Sequence, residues 1–345
     1  MKNKFRFIIL AITLLLAVDC IYAGAGNRTG TGGAAQLLIP VGVRGMAMAG
    51  GNVAMSSGVE ALYWNPAGTS KNINSANAMF TYMDYIADIG VEYGAVSANF
   101  EGFGVLSFAV KSLSIGDILV TTTQDPDGTG KTFSPQMLVA GVSYARQLTE
   151  RISVGVTANL VTETLGDVSA SGVAFDVGVV YDNLASINGL SFGVVMKNIG
   201  PQMQYDGSGL LVDGTVAGLN RPPGLVKIDS APFELPSTFE LGLAYKPQLL
   251  DDMNTLVFST SFKNNNFSDD EYKLGMEYGY NKMFFIRAGY TFAPEQAFDN
   301  SYIYGFTAGA GIDYSFESVS IKVDYAYRYA KYFDGDHVFG ISLGF

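Results

Sequence analysis

The chain ends HVFGISLGF, His337 to Phe345. His337, Phe339, Ile341, Leu343 and Phe345 fall on one side of an extended backbone. Val338, Gly340, Ser342 and Gly344 fall on the other. Successive side chains of a strand point to opposite faces. Large apolar residues alternating strictly with small ones describe a wall strand, with lipid on one face and a crowded lumen on the other.

The same alternation recurs backwards along the chain. Val319, Ile321, Val323, Tyr325 and Tyr327 alternate with Ser320, Lys322, Asp324, Ala326 and Arg328. Leu274, Met276 and Tyr278 alternate with Lys273, Gly275 and Glu277, and Val173, Phe175, Val177 and Val179 with Ala174, Asp176 and Gly178. Asp176, Glu240, Lys273, Glu277, Arg287, Lys322, Asp324 and Arg328 all sit on the small-residue side. A Lys or Arg on the lipid face near mid-bilayer costs about 2–4 kcal/mol, so that side is the lumen, where opposite charges can pair. The pattern predicts an all-β transmembrane protein. It would be an antiparallel up-and-down barrel of roughly fourteen strands over residues 76–345.

Connection lengths alternate as well. Phe100–Gly102, Leu148–Arg151, Tyr280–Lys282 and Ser315–Ser318 are short. Asp117–Lys131, Pro201–Pro236, Asn264–Asp270, Ala293–Ser301 and Tyr332–Asp336 are longer. Short turns are expected on the periplasmic side and long loops outside. An even strand count then puts both termini in the periplasm. Pro201–Pro236 is the longest loop and the candidate partner-binding loop, with Arg221, Pro222 and Pro223 near its middle.

Composition agrees. Of 345 residues, 48% are hydrophobic but only 15% charged, with 41 Gly, 20 Tyr and 23 Phe. Lys2, Lys4 and Arg6 precede an apolar run, Phe7 to Ala17, and Ile21-Tyr22-Ala23 ends in a small residue. Residues 1–23 therefore read as a secretory signal peptide. Cys20 raises a lipoprotein alternative, which the Asp19 before it argues against. The net charge of −11 becomes more acidic once the basic leader is removed, which argues against nucleic acid. Cys20 is the only cysteine, so the remainder would hold no disulfide or thiolate metal site. No later segment reaches the roughly 18 apolar residues of a membrane-spanning helix.

Residues 24–75 break the strand pattern. Gly24–Gln36 reads as a flexible lead-in. Pro40–Gly68 reads PVGVRGMAMAGGNVAMSSGVEALYWNPAG, crowded with small residues and closed by a turn through Trp64, Asn65 and Pro66. A short helix is expected from Val43 to about Met55. We read the whole segment as a plug packed inside the barrel. Gly50-Gly51 is not followed by Lys-Ser/Thr, so it is no phosphate loop. Arg44, buried in such a plug, needs an acidic partner, since an unpaired buried charge is costly. It is either a structural anchor or a ligand contact.

Catalytic signals are weak. His337 is the only histidine and lies on the lipid face. The lumen carboxylates pair more readily with Lys and Arg than they form acid–base sites. Asp125 to Gly130 lacks the distal Glu and the spacing of a calcium loop. No enzyme activity, metal or cofactor is expected.

The signal peptide, Gly42 to Gly68 and about fourteen strands ending in Phe345 together resemble the FadL superfamily of outer-membrane barrels. Within it, the chain looks most like the PorV/PorQ branch. The resemblance implies a hatch-filled barrel in the outer membrane of a Gram-negative bacterium, contacting outer-membrane lipid. Arg44, Gly50, Gly51, Trp64, Asn65 and Pro66 would form the hatch motif, and Phe345 would be read by the barrel-insertion machinery. It implies binding of secreted cargo and type IX secretion components through the outer loops, or else FadL-like transport of hydrophobic molecules. An apolar pocket near Leu38, Ile39, Met46 and Met48 would favour transport, and a tightly packed lumen would count against it. A general porin is the third reading.

Overall fold

The computed structural model describes residue 28 and residues 30–71, 74–215, 224–248, 253–294, 302–316 and 319–345. The signal-peptide expectation lies outside these residues. Fourteen strands form one closed antiparallel wall. They are β1 (Ala76–Tyr85), β2 (Ile89–Phe100), β3 (Gly104–Ser114), β4 (Gln136–Gln147), β5 (Ile152–Leu165), β6 (Val168–Asp182) and β7 (Leu190–Ile199). The second half comprises β8 (Thr238–Tyr245), β9 (Asn254–Asn265), β10 (Glu271–Tyr280), β11 (Phe284–Phe292), β12 (Tyr304–Phe316), β13 (Val319–Ala330) and β14 (Asp336–Gly344). Each strand pairs with its sequence neighbours, and β14 returns to β1 with Asn77 opposite Gly344. Closure leaves the wall no unpaired edge, which is what a lipid environment requires of a sheet.

The period-2 reading fixes the faces. Phe80, Ile286, Phe306, Val323, Phe339 and Ile341 are exposed on the outer surface. Thr81, Arg287, Thr307, Asp324 and Val338 are buried inside. His337 meets Tyr325 Oη through Nδ1 at 2.8 Å, an aromatic pairing outside the lumen.

The two ends differ. At the C-terminal end, the Ser75 N–H donates to the Phe345 carbonyl at 2.8 Å, beside the turns 101–103, 148–151 and 281–283. The opposite, loop end carries 115–135, 200–237 and 266–270. Two connections there are tight: Ile86–Asp88, with Ala87 and Asp88 at φ 58° and 59°, and Gly166–Asp167. Long loops thus share one end, but not every connection at that end is long.

Residues 33–71 fill the lumen. At eight wall glycines the plug packs where a side chain would otherwise stand. A Cβ on Gly193 (β7) would lie 2.7 Å from Ala54 Cα, and one on Gly242 (β8) 3.0 Å from Val53 Cβ. Gly155, Gly178, Gly275, Gly289, Gly309 and Gly340 meet Pro66, Asn65, Met48, Ala49, Ala47 and Val43 in turn. The plug therefore winds around the inside of the barrel in the reverse order of the strands.

Two expectations about this segment are corrected. The helix is short, α1 (Val43–Ala47), because Ala49 and Gly50 turn left-handed at φ 56° and 76°, and the Gly50 N–H closes onto the Gly45 carbonyl at 2.8 Å. A second helical turn, α2, covers Ala61–Trp64. The supposed flexible lead-in is packed in its later part: Gln36 is fully buried, and the Phe267 and Phe233 rings lie over Gly32 and Gly33, where no Cβ intervenes. Arg28 donates to Glu234 at 2.6 Å, at the loop end. The described chain thus enters the lumen from the loop end and leaves it at Lys71, so Arg28 and Phe345 lie at opposite ends of the barrel.

Candidate functional site

Arg44 on α1 has an acidic partner. Its Nε and Nη2 each donate to Glu277 of β10 at 2.7 Å, one to each carboxylate oxygen. Arg287 of β11 donates from Nε to Glu277 at 2.6 Å and from Nη1 to Asp324 of β13 at 2.6 Å. Lumen-facing side chains of β10, β11 and β13 thus form one network with a single plug side chain. Paired, charge-assisted bonds of this kind are directional as well as strong. The neighbouring Glu60 accepts from the Gly45 N–H at 2.8 Å, holding the start of α1.

Wall hydroxyls grip the plug backbone beyond α1. Thr307 (β12), Thr291 (β11) and Ser261 (β9) donate to the carbonyls of Ala47, Ala49 and Gly50 at 2.9, 3.3 and 3.4 Å. A buried carbonyl without a partner is costly, so these bonds let irregular backbone exist inside the barrel. Gly51 packs against the Ser259 hydroxyl. Asn65 is fully buried; its Nδ2 donates to the Val53 carbonyl at 3.0 Å and the Val179 carbonyl at 3.3 Å. Its Oδ1 accepts from the Ala67 N–H at 3.2 Å. Pro66 follows where no donor is needed. Trp64 is buried under Gly45 and Gly50 and stands edge-on to Tyr63 at 5.0 Å. The hydroxyl contacts escape sequence reading because they depend on strand stagger, although the lumen position of Thr307 is legible.

The pocket sought near the hatch is closed. Met46 and Met48 are buried at 2% and 0%, and Ile39 at 9%. The cavity beside them holds about 40 Å³ and is lined by Lys111, Lys197 and Asp176 as well as Leu37 and Tyr63. Lys197 Nζ lies 3.6 Å from the centre of the Tyr63 ring. Lys111 Nζ donates to the Ile39 carbonyl at 3.0 Å. No metal-ligating cluster occurs among the described residues.

At the loop end, residues 200–237 have a packed base and a raised tip. Met203 and Leu235 join Ala34 and Leu37 in an apolar cluster. Above it, Leu211–Gly214 pairs with Gly224–Lys227 as a two-stranded ribbon. Its Leu225 is 68% exposed, with Leu211, Val212 and Ile228 also exposed. Lys227 bridges to Asp206 at 2.6 Å and holds that carboxyl below its ordinary range. Arg221, Pro222 and Pro223 lie outside the described residues.

A closed fourteen-strand wall, apolar outside and occupied inside by an ion-paired N-terminal segment, defines a plugged outer-membrane β-barrel. The family model for "Type IX secretion system protein PorV" matches residues 23–213, more than half of the chain, and the protein belongs to that family. In fold it is similar to the monoaromatic hydrocarbon channel CymD, with a TM-score of 0.56 and 16% identity over 89% of this chain and 98% of that one. It is also similar to the toluene transporter TodX of Pseudomonas putida, with a TM-score of 0.53 and 14% identity over 88% and 96% of the two chains. Identities this low establish the shared FadL-like fold alone. No curated protein matches the sequence.

Proposed function

We propose that the protein is a non-enzymatic outer-membrane receptor whose loop end meets secreted proteins or other components of a type IX secretion complex. The observation that carries this reading is the ribbon of the 200–237 loop, which lifts Leu211, Val212, Leu225 and Ile228 into solvent on a base pinned to the plug. Large apolar side chains left exposed on a raised loop, Leu211 and Leu225 on one face and Val212 and Ile228 on the other, are suited to protein contact. Membership of the PorV family supports the secretion context. In this reading the loop end faces outward and Phe345 faces the periplasm, where its strand was read by the insertion machinery.

The test replaces residues 208–228 with a short Gly-Ser linker, which spares Met203 and Leu235. The barrel should still show heat-modifiable migration, while capture and surface display of secreted cargo should be lost. Unchanged display would sink the reading.

Transport of hydrophobic molecules is the second reading, suggested by the fold shared with CymD and TodX. The small size of the cavity beside Leu37 and Tyr63, about 40 Å³, argues against it, as does the position of the roomy apolar groove, about 660 Å³, on the lipid-facing wall around Phe80, Phe284 and Phe339. A hydrophobic tail bound between Met46 and the wall would reverse that judgement.

A further inference from the structure

At the C-terminal end the lumen widens into a vestibule of about 570 Å³ between the plug and the wall. Its lining carries the cations Arg44, Lys71, Lys246, Lys282, Arg287 and Lys322, but only Asp182 and Glu277 as carboxylates. This sign is opposite to that of the chain, whose net charge is −11. Arg44 is held by Glu277, Arg287 by Glu277 and Asp324, Lys71 by Asp182 at 2.7 Å, and Lys322 by Asp313 at 3.0 Å. Lys246 and Lys282 make no ion pair among the described residues, and both are exposed at the rim.

The two guanidiniums also keep donors in reserve. Arg44 uses Nε and Nη2 for Glu277, which leaves Nη1. Arg287 uses Nε and Nη1, which leaves Nη2. Ser57 of the plug adds a hydroxyl to the lining, while those of Ser191 and Thr255 already donate to Asp182 at 2.7 Å and to the Gly279 carbonyl at 3.5 Å. Isolated surface lysines attract ions weakly. Like charges gathered in a cleft with low-dielectric walls focus their field and raise the local counter-ion concentration. The volume falls in the range of roughly 300–1,000 Å³ typical of small-molecule sites.

We infer that this vestibule binds a small oxyanion carrying two or more negative charges, of the phosphate or polycarboxylate class. Its charges answer the two rim lysines that make no ion pair among the described residues, and its oxygens accept from the reserve donors below them. This site lies at the opposite end of the barrel from the loop that meets protein partners.

The test uses the full mature protein in detergent micelles, titrated calorimetrically with pyrophosphate, with citrate and with acetate at matched ionic strength. At least one of the multivalent anions binds at a single site and more tightly than acetate. Which of the two binds identifies the phosphate or the carboxylate class. The K246Q/K282Q variant, which changes only exposed turn residues, keeps heat-modifiable migration and loses about tenfold or more in affinity for that anion. Multivalent anions that bind no better than acetate, or a double variant with a smaller loss, would overturn the inference.

Discussion

Arg44 and Glu277 face each other across the plug–wall boundary with two parallel 2.7 Å hydrogen bonds, and Glu277 also accepts from Arg287. The carboxylate is thus the shared member of the network. Breaking a buried pair from the side that strands charge costs about 3–5 kcal/mol. Glu277→Ala strands Arg44 and leaves Arg287 only Asp324, and should reach that range. Arg44→Ala leaves Glu277 paired with Arg287 and should cost clearly less. Urea unfolding of detergent-solubilised variants gives the order, and equal losses would refute the shared-carboxylate account.

The hydroxyl contacts predict a different signature. Thr307→Val keeps the shape of the side chain but deprives the Ala47 carbonyl of its donor. An unsatisfied buried acceptor costs about 1–3 kcal/mol. Thr307→Ser restores the donor and should recover most of the loss. If valine and serine behave alike, the hydroxyl is not holding the plug.

Asp206 and Lys227 tie the base of the exposed ribbon. The Lys227 ammonium holds the Asp206 carboxyl below its ordinary value of 3.8. The folded-state pKa is depressed, so the tie is fully present above about pH 4 and weakens as pH falls through the lower, folded value. Both groups are solvent-exposed, so salt should weaken it too. Ribbon amides should lose hydrogen-exchange protection on acidification or in the D206N variant, while plug amides stay protected. Equal loss in plug and ribbon would contradict this.

How far the sequence revealed this architecture depends on the kind of contact. Wall strands were legible because every second residue reports a face: Phe339 and Ile341 against Val338, or Leu274 and Met276 against Lys273 and Glu277, needed no partner to be read. The need of Arg44 for a carboxylate followed from the cost of burying charge, but the choice of Glu277 among the lumen acids required the register of β10. Tight turns without glycine, such as Ile86–Asp88, hid because Ala87 and Asp88 adopt left-handed conformations that composition does not announce. The packed lead-in was misread because Gly32 and Gly33 suggested freedom, when their bare backbone serves as a seat for Phe267 and Phe233.

The path of the plug from Arg28 to Lys71 is directly testable. Arg28 donates to Glu234 and Asn266 and stacks over Phe267 at 4.6 Å, all at the loop end. A cysteine replacing Thr31 should react with an impermeant maleimide from the same side of the membrane as one replacing Leu225. A cysteine at Asn281, beside the C-terminal-end turns, should react from the other side. Labelling of Thr31 and Asn281 positions from one side would reverse the threading described above.

The final prediction concerns the seal itself. Gly193 and Gly309 face the lumen, and their missing side chains are the space that Ala54 and Ala47 occupy. Valine at Gly193 would have to expel plug backbone, because Ala54 Cα and the Val53 carbonyl lie 2.7 Å from its Cβ. The neighbouring Val194 faces away from the plug on the same strand and serves as the control. The wall's own hydrogen bonds do not depend on the plug, so Gly193→Val should leave a heat-modifiable barrel while opening the lumen. In planar bilayers the wild type and Val194→Ala should show little current, and Gly193→Val should conduct. Equal, large currents from all three would mean that residues 33–71 do not seal the barrel; equally small ones would mean that the plug yields locally without leaving its seat.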